Sequence, residues 1–319
     1  MSQKFFARIG FEGDSDQLIA DVAQEFNLGV VQGSSVLAVG FEDCNIKVET
    51  DKGAFVIKAF ATFRDAPQIK RYVNVMVKAL EGGVNHPFLY KTRTDEYIYQ
   101  HPKGVKLVVM DFIAGKTYFD SKTTPNDQEI GQIMTEAVKI NALDLAPPKV
   151  FDEWSTQHIV AMYEKTKEFL GEEGRKLAQT AIERYSSIDF SKLSTCFVHG
   201  DLIATNVLKG EDGKIWVLDF AVSNLYPKIQ EIAVVSTSLL TDLEAPTLLS
   251  ERVNRAMNAY LDAGGTLTEY EQEVLFNFAT GCAGQEFMGG HKLKYVDKDD
   301  SEESNYWIKL GRESLKELL

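Results

Sequence analysis

The sequence predicts an α+β protein whose N-terminal part is an antiparallel sheet and whose C-terminal part is mainly helical. Three short apolar segments, 36–40, 46–50 and 54–60, are separated by tight turns, which is typical of neighbouring antiparallel strands. From residue 128 onward, apolar residues recur mostly at helical spacing, which favours a helical second part. With 319 residues, 44% of them hydrophobic, the chain is long enough for two lobes with separate cores.

Helix boundaries follow from capping and breaking residues. A leading helix is expected over 15–26, ending at 27–29, and a second over 66–80, with Pro67 in its first turn and glycines at its end. Later helices are predicted from periodicity at 128–141, across 152–186 with breaks at Gly171 and Gly174, and at 251–261, 268–280 and 305–318.

The composition limits which binding partners and which cellular compartment are expected for the protein. A net charge of -13 and a pI near 5.0 argue against nucleic acid or an anionic membrane as partner, because both require clustered basic residues. The three cysteines are isolated, which favours neither a disulfide framework nor a zinc site. No stretch approaches the roughly 20 apolar residues of a membrane span. We therefore expect a cytoplasmic monomer or homodimer.

Residues 199–219 carry the most informative pattern. The spacing His-x-Asp-x4-Asn over His199, Asp201 and Asn206 is followed by an apolar run that ends in Asp219. Kinases use this arrangement to hold Mg²⁺-nucleotide and to orient a hydroxyl. Asp201 would accept the proton of the attacking hydroxyl, and Asn206 and Asp219 would offer oxygens to Mg²⁺. His199 is expected to organise this catalytic loop rather than to act as the base.

The segment between the two halves of this motif predicts a hairpin. Residues 210–213 form a turn signal between the apolar segments 206–208 and 215–218. Asn206 and Asp219 would then flank a two-stranded ribbon and face one cation. The alternative is a surface turn with an unrelated histidine and a capping aspartate.

These residues resemble the small-molecule kinases of the aminoglycoside phosphotransferase, choline kinase and type II homoserine kinase family. The resemblance implies a protein-kinase-like two-lobe fold. His199-Gly200-Asp201 and Asp219-Phe220-Ala221 have the small-molecule form of the motif. Residues 230–233 are similar to the family's Asp-Leu-Ala helix start, with Glu231 in place of aspartate. The helix at 128–141 resembles one that ends in a Leu-His pair, although Ile140-Asn141 stands here.

The resemblance also implies a nucleotide site in the first lobe. Lys58, in the third apolar segment, occupies the position of the lysine that contacts the phosphates; the alternative is an edge-strand lysine. The turn that begins at Gly40 and contains Glu42 is similar to the homoserine kinase pattern, with Asp43 replacing an asparagine. Gly40 and Glu42 are therefore assigned to nucleotide binding.

A kinase lysine is normally paired with a helix glutamate. The face of helix 66–80 that is expected to meet Lys58 offers Val73, Asn74 and Val77 but no acid. Glu42 and Asp43 are the candidate replacements.

The strand at 106–113 resembles the hinge between lobes. Met110 would back the adenine ring, and the backbone of Asp111 and Ile113 would contact its edge. The implied lobes are 1–112, which binds nucleotide, and 113–319, which carries the catalytic and substrate residues.

The implied function is transfer of the γ-phosphate of ATP, with Mg²⁺, to a hydroxyl of a small amino-containing acceptor that is homoserine-like or aminoglycoside/choline-like. The alternative is a catalytically silent nucleotide-binding protein of the same fold. An acidic run at 297–303 could attract a cationic substrate, but a solvated loop is the favoured interpretation. Residues in plausible acceptor regions, each with an equally good packing explanation, are Tyr226, Glu286, Trp307 and Lys309.

Overall fold

A computed structural model of the protein describes residues 6–37 and 43–319. They divide into two compact units. The first comprises the described residues as far as Gly115 together with Gly210–Leu218, and the second comprises Lys116–Lys209 and Asp219–Leu319. The first unit contains an antiparallel sheet and the second is mainly helical, which confirms the predicted fold class. The sequence-based division after residue 112 had placed 210–218 with the helical part.

The sheet of the first unit has the strand order β1-β2-β3-β6-β4, with β5 also paired to β6, and every pair is antiparallel. Its strands are β1 (Val31–Leu37), β2 (Cys44–Thr50), β3 (Gly53–Ala59), β4 (Leu89–Tyr90), β5 (Tyr99–Gln100) and β6 (Lys106–Asp111). β1 begins at Val31, earlier than predicted, because its first residues pair with β2. No residue of β1 is fully buried, so its apolar pattern is weak. Residues 38–40 of the predicted strand lie outside the described residues.

This unit contains the helices α1 (Ser15–Glu25) and α2 (Ala66–Glu81). Asp65 and Gln68 form a capping box at the start of α2, which satisfies backbone donors that the first helical turn leaves unpaired. Apolar residues of α1 form one buried cluster with residues of β2, β3 and β6, including Leu18, Val22, Ile46, Ile57 and Leu107. This core holds the strand that carries Lys58.

The second unit is built mainly from helices around a two-stranded antiparallel pair. Its helices are α3 (Tyr118–Ser121), α4 (Asp127–Asn141), α5 (Ile159–Thr166), α6 (Glu172–Ser186), α7 (Ile229–Val234), α8 (Leu249–Asp262), α9 (Glu269–His291) and α10 (Glu302–Leu315). The remaining strands are β7 (Gly115–Thr117), β8 (Thr195–Val198), β9 (Val207–Gly210), β10 (Ile215–Val217) and β11 (Asn224–Pro227). β8 pairs with β11. No helix in the described part of the chain is long and apolar enough to span a membrane.

Several helix boundaries differ from the predictions, and two of them involve glycines. Gly171 does precede α6, but Gly174 lies inside that helix rather than breaking it. α9 continues to His291 instead of ending at Thr280. Glycines weaken helix propensity, yet a side chain at Gly281 or Gly289 would overlap Tyr185 or Trp154. These two positions of α9 therefore require glycine because aromatic side chains pack directly against the helix backbone there.

Candidate active site

The loop that follows β8 carries the predicted catalytic residues. β8 is fixed by its pairing with β11, in which Val198 lies opposite Asn224. The chain then turns at Gly200, whose φ of +79° is a conformation that favours glycine. This turn sets the backbone direction at Asp201, immediately after the strand.

Asp201 and Asn206 are directly bonded. The Asn206 Nδ2 donates to the Asp201 Oδ2 at 2.7 Å and to the Asp201 carbonyl oxygen at 3.1 Å. Because the amide nitrogen is used in this way, the Oδ1 of Asn206 is the atom left for a cation. The two side chains of the motif therefore lie side by side in the loop.

Asp201 lies in a cluster of acids. Its pKa is raised to about 8, chiefly by burial and also by the charges of Asp152, Asp219 and Glu231, while the hydrogen bond from Asn206 opposes the shift. Asp152 was not among the predicted site residues, because nothing distinguishes it from the other acids of the stretch 152–186. An excess of negative charge of this kind favours binding of a cation.

Asp219 has a strained backbone. Its φ is +61°, in the left-handed region that is uncommon for residues other than glycine. Its Oδ1 accepts a hydrogen bond from the Ala221 N–H at 3.1 Å. Strain of this type costs about 1 kcal/mol and is concentrated at functional sites. The fold holds this carboxylate in one orientation despite that cost.

Glu231 holds the backbone of the catalytic loop. It is fully buried at the start of α7 and accepts hydrogen bonds from the His199 N–H and from the Gly200 N–H. Burial raises its pKa to about 7, against the effect of these two bonds. The resemblance marked this position as a helix start, but its contact with the loop emerges only from the tertiary structure.

His199 is buried and packs its ring 4.6 Å from that of Phe220. Its Nδ1 accepts from the Asp201 N–H at 3.2 Å, so this nitrogen carries no proton. Asn141, at the end of α4, donates to the Phe197 carbonyl at 3.0 Å and accepts from the Tyr260 hydroxyl at 2.8 Å. Both residues thus support the strand and the loop, as a loop organiser would.

In the first unit, Lys58 is paired with Asp43. The Lys58 Nζ lies 3.4 Å from the Asp43 Oδ2, and each residue is only 5% exposed. The Asp43 Oδ1 accepts from the Ala61 N–H and from the Arg64 Nε, both at 3.0 Å. The ring of Tyr72 in α2 lies 5.1 Å from the Lys58 Nζ. The acid beside Lys58 therefore comes from the segment before β2; Gly40 and Glu42 lie outside the described residues.

The predicted hinge is the end of β6. Met110 is buried opposite Val56 of β3. The Asp111 N–H donates to the Phe88 carbonyl at 3.0 Å, and its carboxylate accepts from the Tyr90 hydroxyl at 2.7 Å. The Ile113 N–H makes no hydrogen bond to any residue that the structure describes, so it is available to a ligand.

Within the described ranges, no group of three or more His, Cys, Asp or Glu side chains is placed to hold a metal ion. This agrees with the chemistry of Mg²⁺, which in kinases takes one or two protein oxygens and completes its coordination with phosphates and water. The carboxylate of Asp219 and the free Oδ1 of Asn206 are hard oxygen donors that fit this requirement.

The sequence model of the phosphotransferase enzyme family matches residues 35–267. No curated protein sequence matches the chain. Among solved structures, a spectinomycin phosphotransferase in complex with ADP and spectinomycin has a TM-score of 0.70 at 12% identity, covering 97% of this chain and 100% of that one.

The amicoumacin kinase hAmiN in complex with AMP-PNP, Ca²⁺ and Ami gives a TM-score of 0.68 at 15% identity, covering 99% of this chain and 96% of that one. The choline kinase LicA from Streptococcus pneumoniae gives a TM-score of 0.61 at 12% identity, covering 95% of this chain and 99% of that one. These similarities show a shared fold. Because the family match covers most of the chain, the protein belongs to the phosphotransferase enzyme family.

Proposed function

We propose that the protein is a Mg²⁺- and ATP-dependent kinase that transfers the γ-phosphate to a hydroxyl group of a small amino-containing acceptor. The observation that carries the proposal is the bonded pair of Asp201 and Asn206, set among acids on a loop held by Glu231. Phosphoryl transfer requires mainly positioning and charge neutralisation, and this arrangement supplies both.

Each side chain has a definite role in this proposal. Asp201 accepts a hydrogen bond from the acceptor hydroxyl and takes its proton late in the reaction. Asn206 and Asp219 hold Mg²⁺, which neutralises charge on the phosphates. His199 and Glu231 act only through the loop, since both bond to its backbone.

The nucleotide is assigned to the first unit. Lys58 contacts the phosphates, and Asp43 keeps its ammonium in place. Met110 backs the adenine ring, while the backbone of Asp111 and Ile113 contacts its edge. Gly40 and Glu42 keep their assigned role over the phosphates as a prediction.

Asp201→Asn tests the assignment of the base. We expect kcat for phosphoryl transfer to fall by about 10²–10⁴-fold, because the variant cannot accept the proton. The affinity for Mg²⁺-ATP should stay within about twofold, since Asn keeps an oxygen for Asn206. The measurement is γ-phosphate transfer to a panel of amino alcohols, hydroxy amino acids and aminoglycosides, together with nucleotide titrations.

Asp262→Asn, an exposed aspartate at the end of α8, is the matched control. Unchanged turnover in Asp201→Asn would refute the assignment. A wild-type protein that binds nucleotide but phosphorylates nothing in a broad panel would instead be the catalytically silent alternative.

Asp219→Ala tests the metal assignment separately. We expect it to abolish Mg²⁺-dependent nucleotide binding, because a major carboxylate ligand is lost. Nucleotide titrations with and without Mg²⁺ measure this. Equal Mg²⁺-ATP affinities for Asp219→Ala and the wild type would count against the assignment.

A further inference from the structure

Arg64 lies in the short connection between β3 and α2. Its N–H donates to the Ala61 carbonyl at 3.1 Å, which closes a tight turn just after the strand. The next residue, Asp65, caps α2 with its side chain. The backbone of Arg64 is therefore fixed on both sides. Its side chain is only 12% exposed, so the guanidinium group is largely withdrawn from solvent.

Arg64 is the more firmly bonded of two cations that contact Asp43. The Arg64 Nε donates to the Asp43 Oδ1 at 3.0 Å, and the same oxygen accepts from the Ala61 N–H at 3.0 Å. The Lys58 Nζ lies 3.4 Å from the other oxygen, Oδ2, which is longer than the roughly 2.7–3.2 Å of an N–H···O hydrogen bond. Asp43 is thus held tightly through Oδ1 and more loosely through Oδ2.

The chemistry of the two cations matches this difference. The guanidinium group of arginine is planar, weakly hydrated and always charged, which suits a permanent buried ion pair. The ammonium group of lysine is a compact charge on a flexible stem, and its three donors can turn toward a new acceptor. The firm contact to Asp43 therefore comes from Arg64, and the exchangeable contact comes from Lys58.

The ring of Tyr72 contacts both cations. Its centroid lies 5.1 Å from the Lys58 Nζ and 5.8 Å from the Arg64 Cζ. The ring is buried and packs against Phe60, with the two centroids 5.8 Å apart. An aromatic face stabilises a cation without a directional bond. This stabilisation of Lys58 therefore does not depend on which anion its ammonium group faces.

Asp43 needs a cation at all times. It is only 5% exposed, and a buried carboxylate without a counter-charge is costly. If Lys58 alone compensated Asp43, turning the ammonium group toward another anion would leave this carboxylate uncompensated. The bonds from Arg64 and Ala61 both go to Oδ1, so they can stay in place when Lys58 leaves Oδ2.

We propose that Arg64 is a positioning residue of the nucleotide site: it is the fixed counter-ion of Asp43, and it thereby allows Lys58 to exchange Asp43 for the nucleotide phosphates. This inference rests on the proposed function, in which Lys58 contacts the phosphates. Arg64 acts through Asp43 and needs no contact with the nucleotide of its own.

The first test needs no ligand. We expect Arg64→Met to lower the Tm by more than Lys58→Met does, because it removes the firm contact to Asp43 and leaves the loose one. Thermal unfolding followed by circular dichroism measures both variants. Arg93→Met, which alters an exposed arginine of the same unit, is the matched control and should have the Tm of the wild type. A Tm of Lys58→Met equal to or below that of Arg64→Met would overturn the inference.

The second test compares nucleotides that differ in their phosphates. Adenosine, ADP and ATP are titrated by calorimetry in the presence of Mg²⁺. We expect Arg64→Met to weaken ATP binding at least about tenfold and adenosine binding less than about twofold, because Asp43 then retains Lys58 and only the phosphates lose a partner. Equal losses for adenosine and ATP, or no loss for either, would overturn the inference. If Arg64→Met is unfolded at the assay temperature, Arg64→Lys replaces it; it keeps the charge but not the Nε donor, and a loss of about threefold is expected for ATP alone.

A double variant separates positioning from packing. Adding Asp43→Asn to Arg64→Met removes the negative charge that retains Lys58. The affinity for ATP should therefore recover at least about threefold relative to Arg64→Met. If Arg64 only packed the turn, the second substitution would bring no recovery, and that result would refute a role through Asp43.

The inference and the proposed function can fail separately. ATP binding that depends on Arg64 as described, in a protein that transfers no phosphate, would support the inference and refute the proposed kinase. Phosphoryl transfer with an ATP affinity that Arg64→Met leaves unchanged would refute the inference and leave the kinase intact.

Discussion

Two sets of buried charged residues, one in each unit of the protein, are compensated in opposite ways. In the first, the buried Lys58 has an acid beside it, and that acid is bonded in turn to Arg64 and to the Ala61 backbone. In the second, Asp201, Glu231 and Glu286 all have pKa values raised by burial. Among the described residues, no lysine or arginine lies within ion-pair distance of these three acids.

The difference shows which group of charged residues is already neutralised within the protein and which is not. Lys58 and Asp43 compensate each other, so the lysine is held in position before any ligand binds. The three acids Asp201, Glu231 and Glu286 are compensated only by hydrogen bonds and by more distant charges. We interpret the excess negative charge around Asp201 as preparation for a divalent metal that arrives from outside.

The largest effect is expected when the ion pair between Lys58 and Asp43 is broken. Asp43→Asn removes a buried charge that contacts both Lys58 and Arg64, and we expect a loss of about 3–5 kcal/mol in the free energy of unfolding. Urea unfolding followed by circular dichroism measures it. Adding Lys58→Met to Asp43→Asn should recover about 1–3 kcal/mol of the loss, because the buried ammonium group is then removed.

Asp65→Asn serves as the control for this pair. It makes the same chemical change in the same unit, but asparagine caps a helix as well as aspartate does, so its effect should be small. If Asp43→Asn cost no more than Asp65→Asn, the buried pair would not be holding Lys58.

A smaller effect should appear as pH dependence at Glu286. Burial raises the pKa of Glu286 to about 7 from 4.5, against the bonds from Ser238 and Thr237 and the charge of Arg252. The folded state thus keeps a proton that the unfolded state has released. The stability due to this group is fully present below pH 4.5 and is lost as the pH rises through about 7.

Glu286→Gln does not titrate, so its free energy of unfolding relative to the wild type should rise by on the order of 2 kcal/mol across this window. Cys282 and Tyr306 also face Glu286, but their pKa values are raised to about 12, outside the window. Parallel unfolding curves at several pH values give the difference. A pH-independent difference would show that Glu286 ionises normally in the folded protein.

The smallest effect concerns the strained backbone at Asp219. Asp219→Gly and Asp219→Ala both remove the carboxylate, but only glycine tolerates a φ of +61° without strain. We expect the glycine variant to be more stable by about 1 kcal/mol, measured by thermal unfolding. Equal stabilities would mean that the backbone at this position relaxes when the carboxylate is gone.

Much of this architecture follows from local sequence patterns. Alternation and turns predicted the sheet around Lys58, and the turn signal at 210–213 predicted the hairpin of β9 and β10 between Asn206 and Asp219. Such features depend on residues a few positions apart, so short-range geometry determines them. The end of α9 was missed because its glycines serve contacts with Tyr185 and Trp154, which are remote in sequence.

The sequence by itself determined the fold class, the family and the order of the catalytic motif. Only the tertiary structure decided which acids lie beside which groups: Asp43 beside Lys58, Asp152 near Asp201, Glu231 under the His199 backbone and Glu286 beside Thr237 and Ser238. The physical reason is that electrostatic interactions depend on distance and burial in space. The amino-acid sequence shows which residues are acids but gives neither the distances between them nor their burial.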